Sequence, residues 1–257
     1  MFDTHVHSDF SSDSKMKIEH ALEKRKQLNI SIITTEHVDL NYPEENEFKC
    51  DLDKYFKKYN ELRDENFLLG IEFGLSKNKT YEYKILEKKY NFDYILGAIH
   101  EYDGLDLYAA KELYQNYSKQ QMYENYLEYI IECIKDNPYI DSLAHIDYIC
   151  RYASYKDTEI YYKGFSDYID GVFKELILRD ISLEINTRRL GMPSAINNTK
   201  LLCERYRELG GKYVTIGSDA HHEDSIGSKI YLAAEIAKRN NLKIVYYKNR
   251  KKEYDKV

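Results

Sequence analysis

The sequence has no tryptophan and only three prolines, 11 glycines and four cysteines among 257 residues. Each scarcity excludes something. No Pro/Gly-rich linker, low-complexity tract or internal repeat divides the chain, so a single unit spanning residues 1–257 is expected. Cys50, Cys133, Cys150 and Cys203 lie far apart and form no Cys-x-x-Cys pair. They read as packing residues with reduced thiols in a cytoplasmic chain. No run of about 18 apolar residues occurs, so no membrane span is expected. Met1 to His5 lack the charged-then-apolar layout of a signal peptide. Excess positive charge is missing too. The formal net charge is −6, which argues against a general nucleic-acid binder.

What is present supports a large core. Hydrophobic residues make up 43% and charged residues 32%, outside the range of disordered chains. The 27 tyrosines fall mostly in helix-like segments, such as Tyr123, Tyr126 and Tyr129, where amphipathic packing explains them. Seven short apolar runs recur: Met1 to His7, Ile30 to His37, Phe67 to Gly74, Tyr94 to His100, Ile140 to Ile146, Ile181 to Asn186 and Tyr213 to His221. Near-continuous runs of this length suit parallel strands buried on both faces. Helical patterns separate them. Ile18, Ala21, Leu22, Arg25 and Leu28 are spaced by three and four, as are Tyr55, Phe56, Tyr59 and Leu62. Ser118-x-x-Gln121 predicts a capping box for a helix that Asn137-Pro138 closes. Leu201 to Leu209 run into Gly210-Gly211, and Ile226 to Ala237 form the last stripe. Strand and helix alternating about seven times predict an α/β fold, a distorted TIM-like (β/α)7 barrel, with an edge strand over Leu242 to Tyr247.

Six of the eight histidines (5, 7, 37, 100, 145 and 221) stand at or near the C-terminal ends of five different runs; His20 and His222 stand apart. In a parallel barrel those ends converge on one mouth. His5-x-His7 places two imidazoles on one face of a strand, because side chains alternate with a period of two, and Asp219-x-His221 repeats the pattern. Glu72 lies inside the apolar run Leu69 to Phe73. A buried carboxylate needs a cation or donors, and with two oxygens it can bridge two metals. Glu184 has a similar setting, in which a structural hydrogen bond serves as well as a functional role. Asp13, six residues after His7, reads locally as a residue favourable to a helix N-terminus. Nitrogen and oxygen ligands without cysteine point to zinc, iron or manganese. Nine candidate ligands are too many for one ion and suit three.

Taken in order, Asp3-Thr4-His5-Val6-His7-Ser8, Asp13, Thr35-Glu36-His37, Gly70-Ile71-Glu72, Gly97-Ala98-Ile99-His100, Leu143-Ala144-His145-Ile146, Leu183-Glu184-Ile185-Asn186-Thr187 and Gly217-Ser218-Asp219-Ala220-His221 resemble the PHP (polymerase and histidinol phosphatase) superfamily. Within it they resemble the histidinol-phosphate phosphatases, over nearly the whole chain. The resemblance implies three divalent metals. One would be held by His5, His7, Glu72 and Asp219, a second by Glu72, His100 and His145, and a third by Asp13, His37 and His221. Asp13 stands where many members have histidine and others aspartate, and Glu36 where many have aspartate.

The implied reaction is hydrolysis of a phosphate monoester, L-histidinol phosphate, by a metal-bridging hydroxide. Glu72, Asp219 and His221 are the catalytic candidates. The sequence does not choose between Asp219 and a metal-bound water for moving protons. Arg151, Arg188 and Arg189 follow strand ends and are candidates to grip phosphate with a planar fork. Glu101, Asp103 and Asp147 are candidates for the cationic end of the substrate. The rival readings are a phosphodiesterase or nuclease of the same superfamily, an amidohydrolase, and a non-catalytic metal-binding module. An amidohydrolase often has a metal-bridging lysine on the fourth strand, whereas here that run ends in His100 with no lysine in it.

Overall fold

The computed structural model describes residues 1–45 and 47–255. Each of the seven apolar runs contains a strand. The first four are β1 (Phe2–Val6), β2 (Ser31–Val38), β3 (Phe67–Gly74) and β4 (Tyr94–Ala98). A short antiparallel hairpin follows, β5 (Glu101–Tyr102) and β6 (Leu105–Asp106). Then come β7 (Ser142–Leu143), β8 (Ser182–Asn186) and β9 (Tyr213–Gly217), and finally β10 (Lys243–Lys248) and β11 (Lys251–Tyr254). The helices are α1 (Ile18–Leu28), α2 (Leu52–Tyr59), α3 (Thr80–Lys89), α4 (Lys111–Asn116), α5 (Lys119–Asp136), α6 (Tyr162–Leu178), α7 (Pro193–Glu208) and α8 (Ile230–Arg239).

The main sheet runs β1-β2-β3-β4-β7-β8-β9-β10-β11. It is parallel as far as β10, and β11 pairs antiparallel. The ladder does not close on itself, but its two sides meet at the C-terminal ends of the strands. Val6 and Ala220 form an isolated parallel bridge. His7 N–H donates to Ala220 O at 2.8 Å and Asp219 N–H to His5 O at 2.8 Å. Seven parallel strands therefore curve into a distorted barrel. At the other end β10 and β11 fill the gap: Tyr246 stacks on Phe2 at 4.0 Å, and Phe2 N–H donates to Asp255 at 2.6 Å. The expected last strand is present as β10, with its outer edge covered by β11.

Period-two alternation splits the core in two. Phe2, Ile33, Leu68, Tyr94, Leu96, Ala98 and Ala144 pack inside the barrel with Val245 and Tyr247 of β10. The larger cluster, including Tyr55, Phe73, Leu127, Val172 and Ile216, lies between strands and helices. α5 opens with the expected capping box of Ser118 and Gln121 and is capped at its end by Asn137. Past α7, Gly210 takes φ +103° to turn the chain into β9, a conformation open mainly to glycine. The last stripe becomes helical only from Ile230.

Candidate metal centre and active site

The alternation that puts Ile33, Leu68 and Leu96 inside the barrel also sends the ligand candidates to its top. On β2 the inward series is Ile33, Thr35, His37; on β3 it is Leu68, Gly70, Glu72; from β4 it is Leu96, Ala98, His100. In register, Glu72 lies beside His37 on one side and Leu96 on the other. β4, β7 and β9 end before the runs do, at Ala98, Leu143 and Gly217. The chain leaves the ladder there to aim its ligands. His145 has φ +21° and Asp219 φ +57°, values a strand does not accommodate.

The side chains converge tightly. His5 Nε2 and His7 Nε2 are 3.0 Å apart. Glu72 Oε2 lies 3.4 and 3.5 Å from them, and Asp219 Oδ1 lies 3.7 and 3.6 Å from them. Glu72 Oε1 approaches His145 Nε2 at 2.9 Å and His100 Nε2 at 3.4 Å. The His7 ring stacks between His37 at 4.3 Å and His221 at 4.2 Å. Asp13 lies 2.9 Å from His221 and 3.6 Å from His37. Four overlapping triplets bring their ligand atoms within 4.8 Å of one another: His7, His37 and His221; His5, His7 and Asp219; His5, Glu72 and His145; and His37, Asp39 and His100. Asp13 belongs to none of them. Asp39, which the sequence reading passed over, belongs to one.

This donor set fits metal ions. Buried polar atoms are normally hydrogen-bonded, yet His37 Nδ1, Glu72 Oε2, His145 Nδ1 and Asp39 Oδ1 have no hydrogen-bond partner. His37 Nδ1 and Glu72 Oε2 are 3.0 Å apart without the alignment of a hydrogen bond. Burial pushes the Glu72 carboxyl up, but His5, His37 and His100 outweigh it and hold it well below the usual range. Arg151 and His5 do the same for Asp219. Burial opposes charge on His5, His37 and His100, yet Glu184 and Glu72 around His5, Glu72 and Asp13 around His37, and Asp39 and Glu72 around His100 raise all three well above normal. His7 is depressed by burial, with His221 and His37 adding to it.

Outer partners fix the rings. His5 Nδ1–H donates to Glu184 Oε1 at 2.7 Å, which frees Nε2 for the cluster. The other oxygen of Glu184 accepts from His145 N–H at 3.1 Å. Gly217 makes this possible: a Cβ there would come within 2.3 Å of both Glu184 Oε1 and His5 Cβ. His100 Nδ1–H donates to Asp39 Oδ2 at 2.7 Å. Ser11 Oγ–H donates to Glu36 at 2.6 Å and lies 3.1 Å from His7 Nδ1. Glu36 also accepts from Ser8 N–H and Oγ–H, so it braces the β1 loop. Such partners hold tautomer and ring orientation at metal sites. Asp39 was detectable only through its spacing, as a carboxylate on the His37 face one alternation later.

The cluster opens into a cavity of about 290 Å³. Arg151 lies over the Tyr148 ring at 5.2 Å and donates to Asp219 Oδ2 at 2.6 Å and to Asn186 at 3.1 Å. Arg188, with 44% of its side chain exposed, reaches Asp219 Oδ1 at 3.4 Å. Both line the cavity. Arg189 does not: it is buried between Asp147 and Glu159 and pairs with both. Glu101, Asp103 and Asp147 are also absent from the cavity wall. Glu101 is held by Asn41 and Tyr129.

The PHP domain family matches residues 3–188. The chain is 49% identical over 254 residues to a probable histidinol-phosphatase of Clostridium acetobutylicum, covering 99% of each. It is 28% identical over 225 residues to the histidinol-phosphatase of Lactococcus lactis subsp. lactis, covering 85% of this chain and 83% of the relative. The crystal structure of histidinol phosphate phosphatase from Lactococcus lactis subsp. lactis, complexed with Zn, L-histidinol and phosphate, matches with a TM-score of 0.90 at 25% identity, covering 98% of each chain.

Proposed function

The chain belongs to the PHP domain family, and from that premise we propose that it hydrolyses L-histidinol phosphate to L-histidinol and phosphate, a step of histidine biosynthesis. The observation that carries this reading is the buried cluster of imidazoles and carboxylates whose ring nitrogens face one another at 3.0 Å, in a chain 49% identical over its length to a probable histidinol-phosphatase. We assign His5, His7, Glu72 and Asp219 to one metal, Glu72, His100 and His145 to a second, and Asp13, His37 and His221 to a third. Zinc, iron and manganese all suit this nitrogen and oxygen set. Bound there, divalent metals neutralise phosphate oxygens and lower the pKa of water.

The protein's own groups supply the rest. Arg151 and Arg188 edge the cluster and grip the phosphate. Glu72 spans the centre, with one oxygen toward His145 and the other toward His37. Asp219, held ionised between Arg151 and the imidazoles, is placed to accept a proton from the attacking water. Tyr148 closes the wall beside His100 and His145 and excludes solvent. Residues 1–257 act as one barrel. The cytoplasm is the setting, since all four cysteines are free and buried, as a reducing compartment leaves them. No helix of the described residues is long and apolar enough to cross a membrane.

Steady-state kinetics on histidinol phosphate, p-nitrophenyl phosphate and bis(p-nitrophenyl) phosphate tests the reading. The expected order of kcat/KM places histidinol phosphate first and the diester last. A wide preference for the aryl monoester or the diester contradicts the assignment.

A further inference from the structure

β2 and β3 end side by side, with Val38 paired to Phe73. The next residue on each chain forms part of one arrangement. Asp39 continues the inward series of Thr35 and His37 past the end of β2 and is only 7% exposed. Gly74 makes its seat, because a Cβ there would collide with both oxygens of the Asp39 carboxylate. Tyr83 of α3 ties the two chains together: its hydroxyl donates to Gly74 O and accepts from Leu40 N–H at 2.9 Å. Asp39 N–H donates to Phe48 O at 2.6 Å, so the backbone that carries the carboxylate is held at Asp39 and at Leu40.

Two imidazoles stand beside this carboxylate. His100 Nδ1–H donates to Asp39 Oδ2 at 2.7 Å. Asp39 Oδ1 is buried without a hydrogen-bond partner, and so is His37 Nδ1. These two atoms lie 4.0 Å apart, about 1 Å beyond hydrogen-bond length. The two rings meet edge to face with centroids 5.3 Å apart. Their other nitrogens lead to different places. His37 Nε2 lies 3.6 Å from Asp13, in the third ligand set, and His100 Nε2 lies 3.4 Å from Glu72, in the second. A neutral imidazole carries one N–H. A ring that gives its Nε2 lone pair to a metal therefore keeps its proton on Nδ1, and both rings need an acceptor on the Asp39 side. Glu72 Oε2 is 3.0 Å from His37 Nδ1 but belongs to the ligands, which leaves Asp39 Oδ1.

Resting on the metal assignment given under Proposed function, we propose that Asp39 is a positioning residue shared by two metal sites. One oxygen orients His100 for the second ion, the other orients His37 for the third, and Gly74 is the residue that admits the carboxylate between β2 and β3. Asp39 thereby links the two sites without being a ligand in either, while the first site, held by His5, His7, Glu72 and Asp219, does not depend on it.

The test titrates the zinc-loaded protein with a competing chelator and counts the ions released at each step, in the parent, Asp39→Asn, Asp39→Ala and Gly74→Ala. Removing an outer partner of a metal-bound histidine weakens metal binding by about ten- to a hundredfold. An amide has one acceptor oxygen where a carboxylate has two, so Asp39→Asn should still serve His100 and weaken one ion by that factor. Asp39→Ala should weaken two ions and leave the third at the parent affinity. Gly74→Ala, which keeps the charge but fills its seat, should weaken the same two; the isosteric Asp39→Asn remains informative if it folds poorly. NMR gives a second readout: the Nδ1–H protons of His37 and His100 should both be protected from exchange in the zinc-loaded parent, only that of His100 in Asp39→Asn, and neither in Asp39→Ala. A three-ion parent whose Asp39→Ala variant weakens one ion, all three or none overturns the shared role alone. A parent that does not hold three ions overturns the metal assignment itself.

Discussion

The two ends of the barrel both bury charge, and they treat it differently. At the N-terminal end, Asp93 accepts from Asn249 N–H at 2.8 Å, from Leu69 N–H at 2.9 Å and from Arg63. Asp141 accepts from Ile95 N–H at 2.7 Å and from Arg250 Nε–H at 2.6 Å. These aspartates are satisfied by the protein alone, and they tie the β10–β11 turn under the strands. At the C-terminal end His37, Glu72, His145 and Asp39 each keep a buried atom without a partner. The aspartates under the strands are satisfied by protein partners, whereas the carboxylates and imidazoles at the mouth keep buried donor atoms open, as metal ligands do. Four groups of substitutions sharpen or break this contrast.

The largest effect is expected from Glu72→Ala. Glu72 faces five imidazoles, so its loss should reduce kcat by more than the ~10–100-fold that orienting partners cost. It should also deplete bound metal. Asp13→Ala, at the rim, should cost less in both. Equal losses of kcat with equal metal content would break the ranking.

At the opposite end, Arg250→Ala strands the buried Asp141 and should lower stability by about 3 kcal/mol, read from urea denaturation. Metal content should stay at the parent level; a parallel loss of metal would mean that the two ends are coupled.

Next come Arg151→Ala and Arg188→Ala. Each should reduce kcat/KM for histidinol phosphate by roughly ten- to a hundredfold with metal retained. Arg189→Ala should instead act on stability, because it uncovers Asp147 and Glu159. Parental kinetics in both Arg151→Ala and Arg188→Ala would rule out the arginine clamp. The smallest change is Glu184→Gln. It keeps an acceptor for His5 Nδ1–H but removes the charge, so metal affinity should weaken by about tenfold and kcat should recover in excess metal. Unchanged affinity would deny Glu184 an orienting role.

Much of this was legible in the sequence, because apolar runs, alternation and histidine placement all point the same way. β3 matches its run end to end, and six histidines from five strands do meet at one mouth. The misses have physical causes. Runs such as Tyr213 to His221 outlast their strands because the ligand residues abandon strand dihedrals to reach the centre. α3 is only weakly amphipathic, and α6 is interrupted at Phe165, whose dihedrals are not helical. The β5–β6 hairpin has strands of only two residues. Its Asp103-Gly104 turn, with φ +54° and +76°, was nevertheless a readable signal. Asp39 escaped notice because its importance depends on His100, which only the fold brings beside it. Arg189 shows the converse: position after a strand puts a residue near the mouth, but its burial partners decide which way it points.

The most direct test of the contrast is metal analysis of protein stripped with a chelator, reloaded and desalted. With Glu72 shared, the nine ligands provide about three sites of three or four protein ligands each. The expected result is close to three ions per chain, with thermal stability rising on reloading because only the folded state binds them. Fewer than one ion per chain after supplementation, with no change in stability, would contradict it.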